Sequence, residues 1–189
     1  MAYRVGIIGS SGTGKSSFAE ALANELRVPC LKSKEITQHV LERDGYNYSS
    51  GVQIERFLAT PRRQGEILRR TIEQQSVEQF VTDRTMIDLA AYALVEMHDE
   101  GDVGHIYDTC KKNTDKYTHI FLLPFKDVPV KNNGKRTLNP WYQKLVHTIE
   151  RGIMEDWNKG YWIINSDDTE ERIVEAMDVL HGTLGAHSS

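Results

Sequence analysis

The sequence predicts an α/β fold, a three-layer α/β/α sandwich around a five-stranded parallel sheet, and three observations predict it. Five short β-rich runs alternate with segments of helical length, which calls for crossover connections and for helices on both faces of the sheet. The first run ends in a glycine-rich turn that opens an amphipathic helix. The chain has 189 residues and is 39% hydrophobic, the size of one domain whose core can form without disulfides or a structural metal.

The elements follow in order. Tyr3 to Ile8 is the first β-rich run and stops at Gly9. Lys15 to Leu26 repeats apolar side chains at Phe18, Ala19, Leu22, Ala23 and Leu26, a helical period. Further β-like runs lie at Val28 to Leu31, Glu78 to Thr82, Thr118 to Leu123 and Tyr161 to Ile164. Ser33 offers a cap for a helix through Ile36 and Val40. Asn139-Pro140 supplies an N-cap and a first-turn proline for a helix to about Lys159, with Trp141, Leu145, Ile149, Ile153 and Trp157 as its stripe. Trp141 and Trp157 are therefore expected in the core. The last helix starts after Asp168, with Glu171 reaching back, and turns Ile173, Val174, Met177 and Leu180 inward before Gly182. Thr183 to Ser189 is small and polar and reads as a flexible tail. With no internal repeat, low-complexity block or linker, residues 1–182 read as a single domain.

Composition narrows the function. Net charge is −4, from 23 basic and 27 acidic side chains, which argues against nucleic-acid binding by bulk charge but allows a local basic patch. Cys30 and Cys110 have no C-x-x-C spacing, which points to a reducing, cytoplasmic setting. The first residues do not resemble a secretion leader. The longest apolar run, Leu89 to Val95, is far shorter than the ~20 residues of a membrane span, so no membrane partner is expected.

The strongest motif is Gly9-Ser10-Ser11-Gly12-Thr13-Gly14-Lys15-Ser16, a complete G-x-x-x-x-G-K-[ST] string placed after a strand and before a helix. Glycines let successive N–H groups face inward, and the helix start adds partial positive charge where a phosphate would sit. Residues 9 to 17, Ser17 included, are the expected ATP-binding set. Lys15 would reach the β/γ-phosphates and Ser16 would place its hydroxyl on Mg²⁺.

What the triphosphate is used for depends on the rest of the chain. A guanine reader of the Asn-Lys-x-Asp type is absent, since Asn113-Thr114-Asp115-Lys116 has the wrong order. An oligomeric ATPase usually places a second acid after its strand-end Asp, whereas Asp83 is followed by Arg84. Asp83-Arg84-Thr85 ends a β-like run at the sheet edge where such folds bind ligands. Asp83 is suited to act as base toward an acceptor hydroxyl or to hold Mg²⁺, and Arg84 to neutralise phosphate charge.

This loop, Asp83-Arg84-Thr85 and the following Ile87-Asp88-Leu89-Ala90-Ala91-Tyr92-Ala93 resemble the kinase domain of NadR-type nicotinamide riboside kinases and their viral and bacterial relatives. Deoxynucleoside and thymidylate kinases share the broader Asp-Arg-[Ser/Thr/Tyr] pattern. Asn133-Gly134-Lys135-Arg136-Thr137 resembles the family's lid string, with Asn133 in place of its acid. The resemblance implies Asp83 as catalytic carboxylate and Arg84 as acceptor or phosphate contact. It further implies Arg136, with Lys135, as lid cation over about 126–140, Glu35 as a second candidate carboxylate, Asp88 as acceptor contact, and Asn165 to Asp168 as the place of the donor base.

Residues 44–76 would form the acceptor side, with an aromatic loop carrying Tyr46 and Tyr48, then Phe57 and a helix carrying Arg62, Arg63, Arg69 and Arg70. The arginine pairs, seven apart, share one helix face and would suit an anionic acceptor or a DNA strand, or simply form a solvated face. The expected function is ATP- and Mg²⁺-dependent phosphoryl transfer to a nucleoside or nucleoside monophosphate, by a monomer or homodimer. Two alternatives stay open: a phage-type kinase acting on 5-hydroxymethyluracil within DNA, and a nucleotide-binding regulatory protein.

Overall fold

The computed structural model describes residues 2–50, 52–125 and 139–182. The expected lid segment 126–138, with Lys135 and Arg136, and the tail 183–189 lie outside the described residues. Five parallel strands, β1 (Arg4–Ile8), β2 (Cys30–Leu31), β3 (Phe80–Thr82), β4 (His119–Leu122) and β5 (Trp162–Ile163), form one sheet in the order β2-β3-β1-β4-β5. The helices are α1 (Lys15–Leu26), α2 (Ser33–Arg43), α3 (Ile54–Leu58), α4 (Pro61–Gln74), α5 (Met86–Glu96), α6 (Glu100–Thr114), α7 (Pro140–Asp156) and α8 (Thr169–Leu180).

The two-residue period of β1 sorts the core into two layers. Val5 and Ile7 pack with Phe18 and Leu22 of α1 and Ala176 and Val179 of α8. Ile8 faces the opposite side, with Met86 and Ala90 of α5 and Met154 of α7. Because every strand is parallel, all five C-terminal ends meet on one edge. The chain leaves β1 to build β2 and β3 on one side and returns to build β4 and β5 on the other, so the switch point lies beside β1, where ligand crevices form.

Local signals set the helix starts. The Asn139 side chain accepts from the Trp141 and Tyr142 amides ahead of Pro140, and Asp168 caps the Glu170 and Glu171 amides at 2.8 and 3.2 Å. Thr85 and Asp88 form a reciprocal capping box on α5. The Thr60 hydroxyl accepts from the Arg63 amide before Pro61, which separates α3 from α4.

Three expectations are corrected. Trp141 is 73% exposed and Leu145 49%, while Gln143, Val146, Glu150, Ile153 and Met154 form the buried face of α7. A strict four-residue spacing turns about 40° too far at each step of a 3.6-residue helix, so the stripe 141-145-149-153-157 winds off the core at its start. On α8, Val174 is 63% exposed, and Arg172 takes an inner position with Ala176 and Val179. Ser33 is the first residue of α2 rather than its cap, which is Lys32, whose side chain accepts no hydrogen bond from the helix amides.

Trp157 is 5% exposed and meets the Tyr107 ring edge-on at 5.1 Å. Trp157→Ala is expected to cost about 3 kcal/mol or more, and Trp141→Ala less than about 0.5 kcal/mol. Urea unfolding of the two variants measures the difference.

Candidate active site

The phosphate loop is held open by backbone that favours glycine. Gly9, Gly12 and Gly14 have φ of 139°, 92° and 88°. A Cβ on Gly9 would lie 2.6 Å from the Leu123 carbonyl oxygen, and one on Gly14 2.7 Å from Arg172 Nη1. Gly14 is the N-cap of α1 and offers no side-chain acceptor, and the first turn of α1 has no acid. The positive end of α1 is therefore left for an external anion. The Lys15 ammonium donates to the Gly9 carbonyl and lies 3.4 Å from that of Ser10.

Asp83 extends β3 at the same sheet edge. Its Oδ2 accepts from the Ser16 hydroxyl at 2.6 Å and its Oδ1 from the Ser33 amide at 3.0 Å. Burial works to raise its pKa, but the bonds from Ser16 and Ser33 and the charge of Arg84 outweigh it and hold the carboxyl below its ordinary value. Asp83 is thus an ionised acceptor beside a hydroxyl. These two oxygens fit Mg²⁺, which binds through one or two carboxylates together with substrate phosphates rather than in an all-protein cage. Accordingly, no cluster of three or more His, Cys, Asp or Glu suited to a metal occurs among the described residues.

A second group of charges lies deeper. Asp88 Oδ2 accepts from the Thr85 amide and hydroxyl, both at 2.7 Å. Burial raises the Asp88 carboxyl against the pull of Lys15, Thr85 and Arg84. Glu150, on α7, is 1% exposed, and its Oε2 has no hydrogen-bond partner. Burial, and then the charge of Asp88, push Glu150 up to about 8, with Lys15 opposing. Two carboxyls that both face Lys15 in a dry site do not ionise together easily, so one holds a proton near neutral pH.

Asp83 and Asp88 border a cleft of about 770 Å³ that runs from the phosphate loop to α3 and α4. Lys15, Ser16, Ser17, Asp83, Arg84 and Asp88 line it at the loop end. From the expected acceptor region come Tyr48, Ile54, Glu55, Leu58, Gln64 and Ile67. Glu35 is exposed, and the cleft is lined instead by Ser33, Lys34, Thr37 and Gln38, the face of α2 from which Glu35 turns away. Tyr46 packs on Tyr48 and Phe57, each at 4.9 Å between ring centroids, which leaves Tyr48 as the tyrosine of that pair on the cleft.

The arginine face of α4 is engaged by acids. Arg63 Nε bonds Asp44 at 2.8 Å and its Nη1 the Phe57 carbonyl at 2.7 Å, and Arg70 Nε bonds Glu66 at 2.5 Å. Arg69 pairs with Glu66 and Glu73, and Arg62, the most exposed, lies 3.9 Å from Asp44.

Sequence reasoning missed Arg172, Glu150, Glu55, Glu96 and the Ser33 amide. Arg172 Nη1 donates to the Thr13 carbonyl at 3.0 Å and its Nε to the Ser166 carbonyl at 2.8 Å. Glu175 accepts from the Asn165 and Ser166 amides at 2.9 and 3.1 Å. The two side chains tie the segment from Asn165 to Asp168 to the phosphate loop. The available signal was a charge on an otherwise apolar helix face, Arg172 on α8 and Glu150 between Val146 and Ile153.

The fold and this edge define a phosphate-loop α/β protein. A protein-family model described as an AAA domain matches residues 4–172, and the chain belongs to that family, AAA_28. No curated protein sequence matches it. Among solved structures it is similar to the NadR protein in complex with NR, at a TM-score of 0.68 and 15% identity, covering 100% of this chain and 53% of that one. It therefore spans about half the length of that protein. It is also similar to deoxyadenosine kinase from M. mycoides with bound dCTP (TM-score 0.67, 15% identity, 94% and 98% covered). A third is thymidylate kinase from Candida albicans (TM-score 0.61, 13% identity, 96% and 92% covered). No helix among the described residues is long and apolar enough to cross a membrane.

Glu150 makes stability depend on pH in a defined direction. Its ordinary value is 4.5, and in the fold it is about 8. The folded state keeps this proton where the unfolded state has lost it, so the protein loses stability as pH rises from about 4.5 to about 8. Glu150→Gln removes that loss, and its melting temperature relative to the wild type is expected to climb across the window. Thermal unfolding at pH 5, 6.5 and 8 measures it; a constant difference would contradict the assignment.

Proposed function

We propose that this chain is an ATP-dependent phosphotransferase that moves the γ-phosphoryl group to a hydroxyl of a nucleoside or nucleoside monophosphate. The observation that carries the reading is the Ser16–Asp83 pair at 2.6 Å, set at the mouth of a cleft that continues past Arg84 and Asp88. An ATPase needs room only for water beside the γ-phosphate, whereas this cleft has room for an acceptor molecule. Arg84 also stands where an oligomeric ATPase usually has its second acid.

In the proposed reaction the acceptor oxygen forms a bond to the γ-phosphorus, the bond from that phosphorus to the β–γ bridging oxygen breaks, and ADP leaves. The glycine loop and the α1 start hold the phosphates, and Lys15 turns from the loop carbonyls to the β/γ-oxygens. Ser16 and Asp83 would hold Mg²⁺, which when bound would supply charge neutralisation. Asp83 accepts the hydroxyl proton and passes it to solvent. Its depressed pKa suits a loose transition state, in which the nucleophile needs orientation more than early deprotonation. Arg84 offsets charge on the transferred group, and residues 126–138, with Arg136 and Lys135, are proposed as the lid. Asp83 is preferred to Glu35 because Glu35 does not line the cleft. A base within DNA is not proposed as acceptor, since Arg63, Arg69 and Arg70 are held by Asp44, Glu66 and Glu73.

The test is a screen with labelled ATP across nucleosides and nucleoside monophosphates. Lys15→Ala is expected to abolish transfer. Asp83→Asn is expected to cut turnover by several orders of magnitude while ATP still binds, as read by equilibrium binding. Near wild-type turnover in Asp83→Asn would remove that carboxylate from the reaction.

A further inference from the structure

Arg172 is a charged side chain on the buried face of α8, 6% exposed, sharing that face with Ala176 and Val179. Burial lowers the pKa of its guanidinium, with Glu175 and Asp168 opposing. A charge kept in such a place calls for fixed partners, and Arg172 has two carbonyls. Its Nε donates to Ser166 at 2.8 Å and its Nη1 to Thr13 at 3.0 Å. The guanidinium is a rigid planar fork, so the bond to Ser166 sets the direction in which Nη1 points.

The Thr13 carbonyl shares its peptide unit with the Gly14 amide. No peptide among the described residues is cis, and in a planar trans unit the C=O and N–H point in opposite directions. Since the Thr13 carbonyl faces Arg172, the Gly14 N–H faces away from it. Gly14 lines the cleft at the phosphate loop and Arg172 does not, which puts that N–H on the side where a phosphate would sit. The local sequence does not fix this orientation. Turning the peptide over changes φ at Gly14, which stands at 88°, and glycine adopts either sign of φ readily. A Cβ on Gly14 would meet Arg172 Nη1 at 2.7 Å, so glycine here also makes room for the guanidinium that selects between the two orientations.

We propose that Arg172 is a positioning residue for phosphate binding: by holding the Thr13 carbonyl it keeps the Gly14 N–H turned into the phosphate loop. Anchored at Ser166 as well, it ties that orientation to the segment from Asn165 to Asp168. The inference rests on the part of the proposed function that seats a triphosphate in the loop and is independent of the acceptor.

The test uses the full chain with ATP and with inorganic tripolyphosphate, which has no base to contact residues 165–168. Arg172→Met replaces the guanidinium with an apolar side chain suited to the inner face of α8. It is expected to weaken both ligands by about tenfold or more, the loss of one amide bond to a charged oxygen, as read by titration calorimetry. A loss confined to ATP would place the action of Arg172 at the base and overturn the proposal. The second readout is the Gly14 amide in proton–nitrogen correlation spectra. Tripolyphosphate is expected to shift the Gly14 and Ser16 amides of the wild type, and in Arg172→Met to shift Ser16 while leaving Gly14 largely in place. Unchanged affinity in the variant, or a Gly14 amide that responds there as in the wild type, overturns the proposal. Should thermal melting show Arg172→Met unfolded, Arg172→Lys carries the same two measurements with the charge kept and the fork lost, and the same reduced Gly14 response is expected. A wild-type Gly14 amide that does not respond to tripolyphosphate overturns the proposal without any variant. Wild-type binding of neither ligand overturns it together with the triphosphate reading, whereas binding without transfer to any acceptor overturns the phosphotransferase reading alone.

Discussion

One buried carboxylate holds the functional edge together. Asp83 receives the Ser16 hydroxyl on one oxygen and the Ser33 amide on the other, and so joins the end of β3 to the first turns of α1 and α2. Lys32 cannot cap α2 through its side chain, so Asp83 satisfies the exposed amide from across the sheet. A buried charge is tolerated only when its oxygens are bonded, and here the bonding partners are the parts of the site that must be positioned. The same contacts keep Asp83 ionised, which is the state a metal-holding or hydroxyl-accepting group requires.

The rest of the cleft is arranged around that anchor. Ahead of it, glycines and the uncapped α1 start make an anion seat. Behind it, Arg172 reaches from α8 to the Thr13 and Ser166 carbonyls, and the absence of a Cβ on Gly14 is what lets the guanidinium come so close. Beyond it, Asp88 serves two ends at once, closing the capping box of α5 and facing the cleft. Glu150 adds a carboxyl with no room to ionise cheaply. Positive charge is thereby concentrated at the loop and negative charge at the opposite wall, although the net charge of the chain is only −4.

What could be read in advance depended on sequence distance. The strand, loop and helix from Arg4 to Leu26, and the caps at Asn139 and Asp168, rest on interactions spanning a few residues, so their chemistry is printed in the local string. The stripes of α7 and α8 were misread by a fraction of a turn, because which face is buried depends on the neighbours it meets. Glu35 illustrates the same limit: its residue type and place fit a cleft carboxylate, yet on a helix beginning at Ser33 it is the residues at 33, 34, 37 and 38 that line the cleft. Arg63 looked available because its partner Asp44 lies 19 residues away, at the end of another helix.

By itself, the sequence determined that the first strand ends in a glycine-rich loop suited to phosphate. Eight contiguous residues suffice for that, since inward-facing amides and left-handed glycine backbone are properties of the local chain. The tertiary structure decided the partners and the charge of everything facing that loop. Ser16 meets Asp83 across 67 residues and Arg172 meets Thr13 across 159. Such meetings set burial, and burial sets both the protonation of Asp88 and Glu150 and the sign of the field that an acceptor encounters.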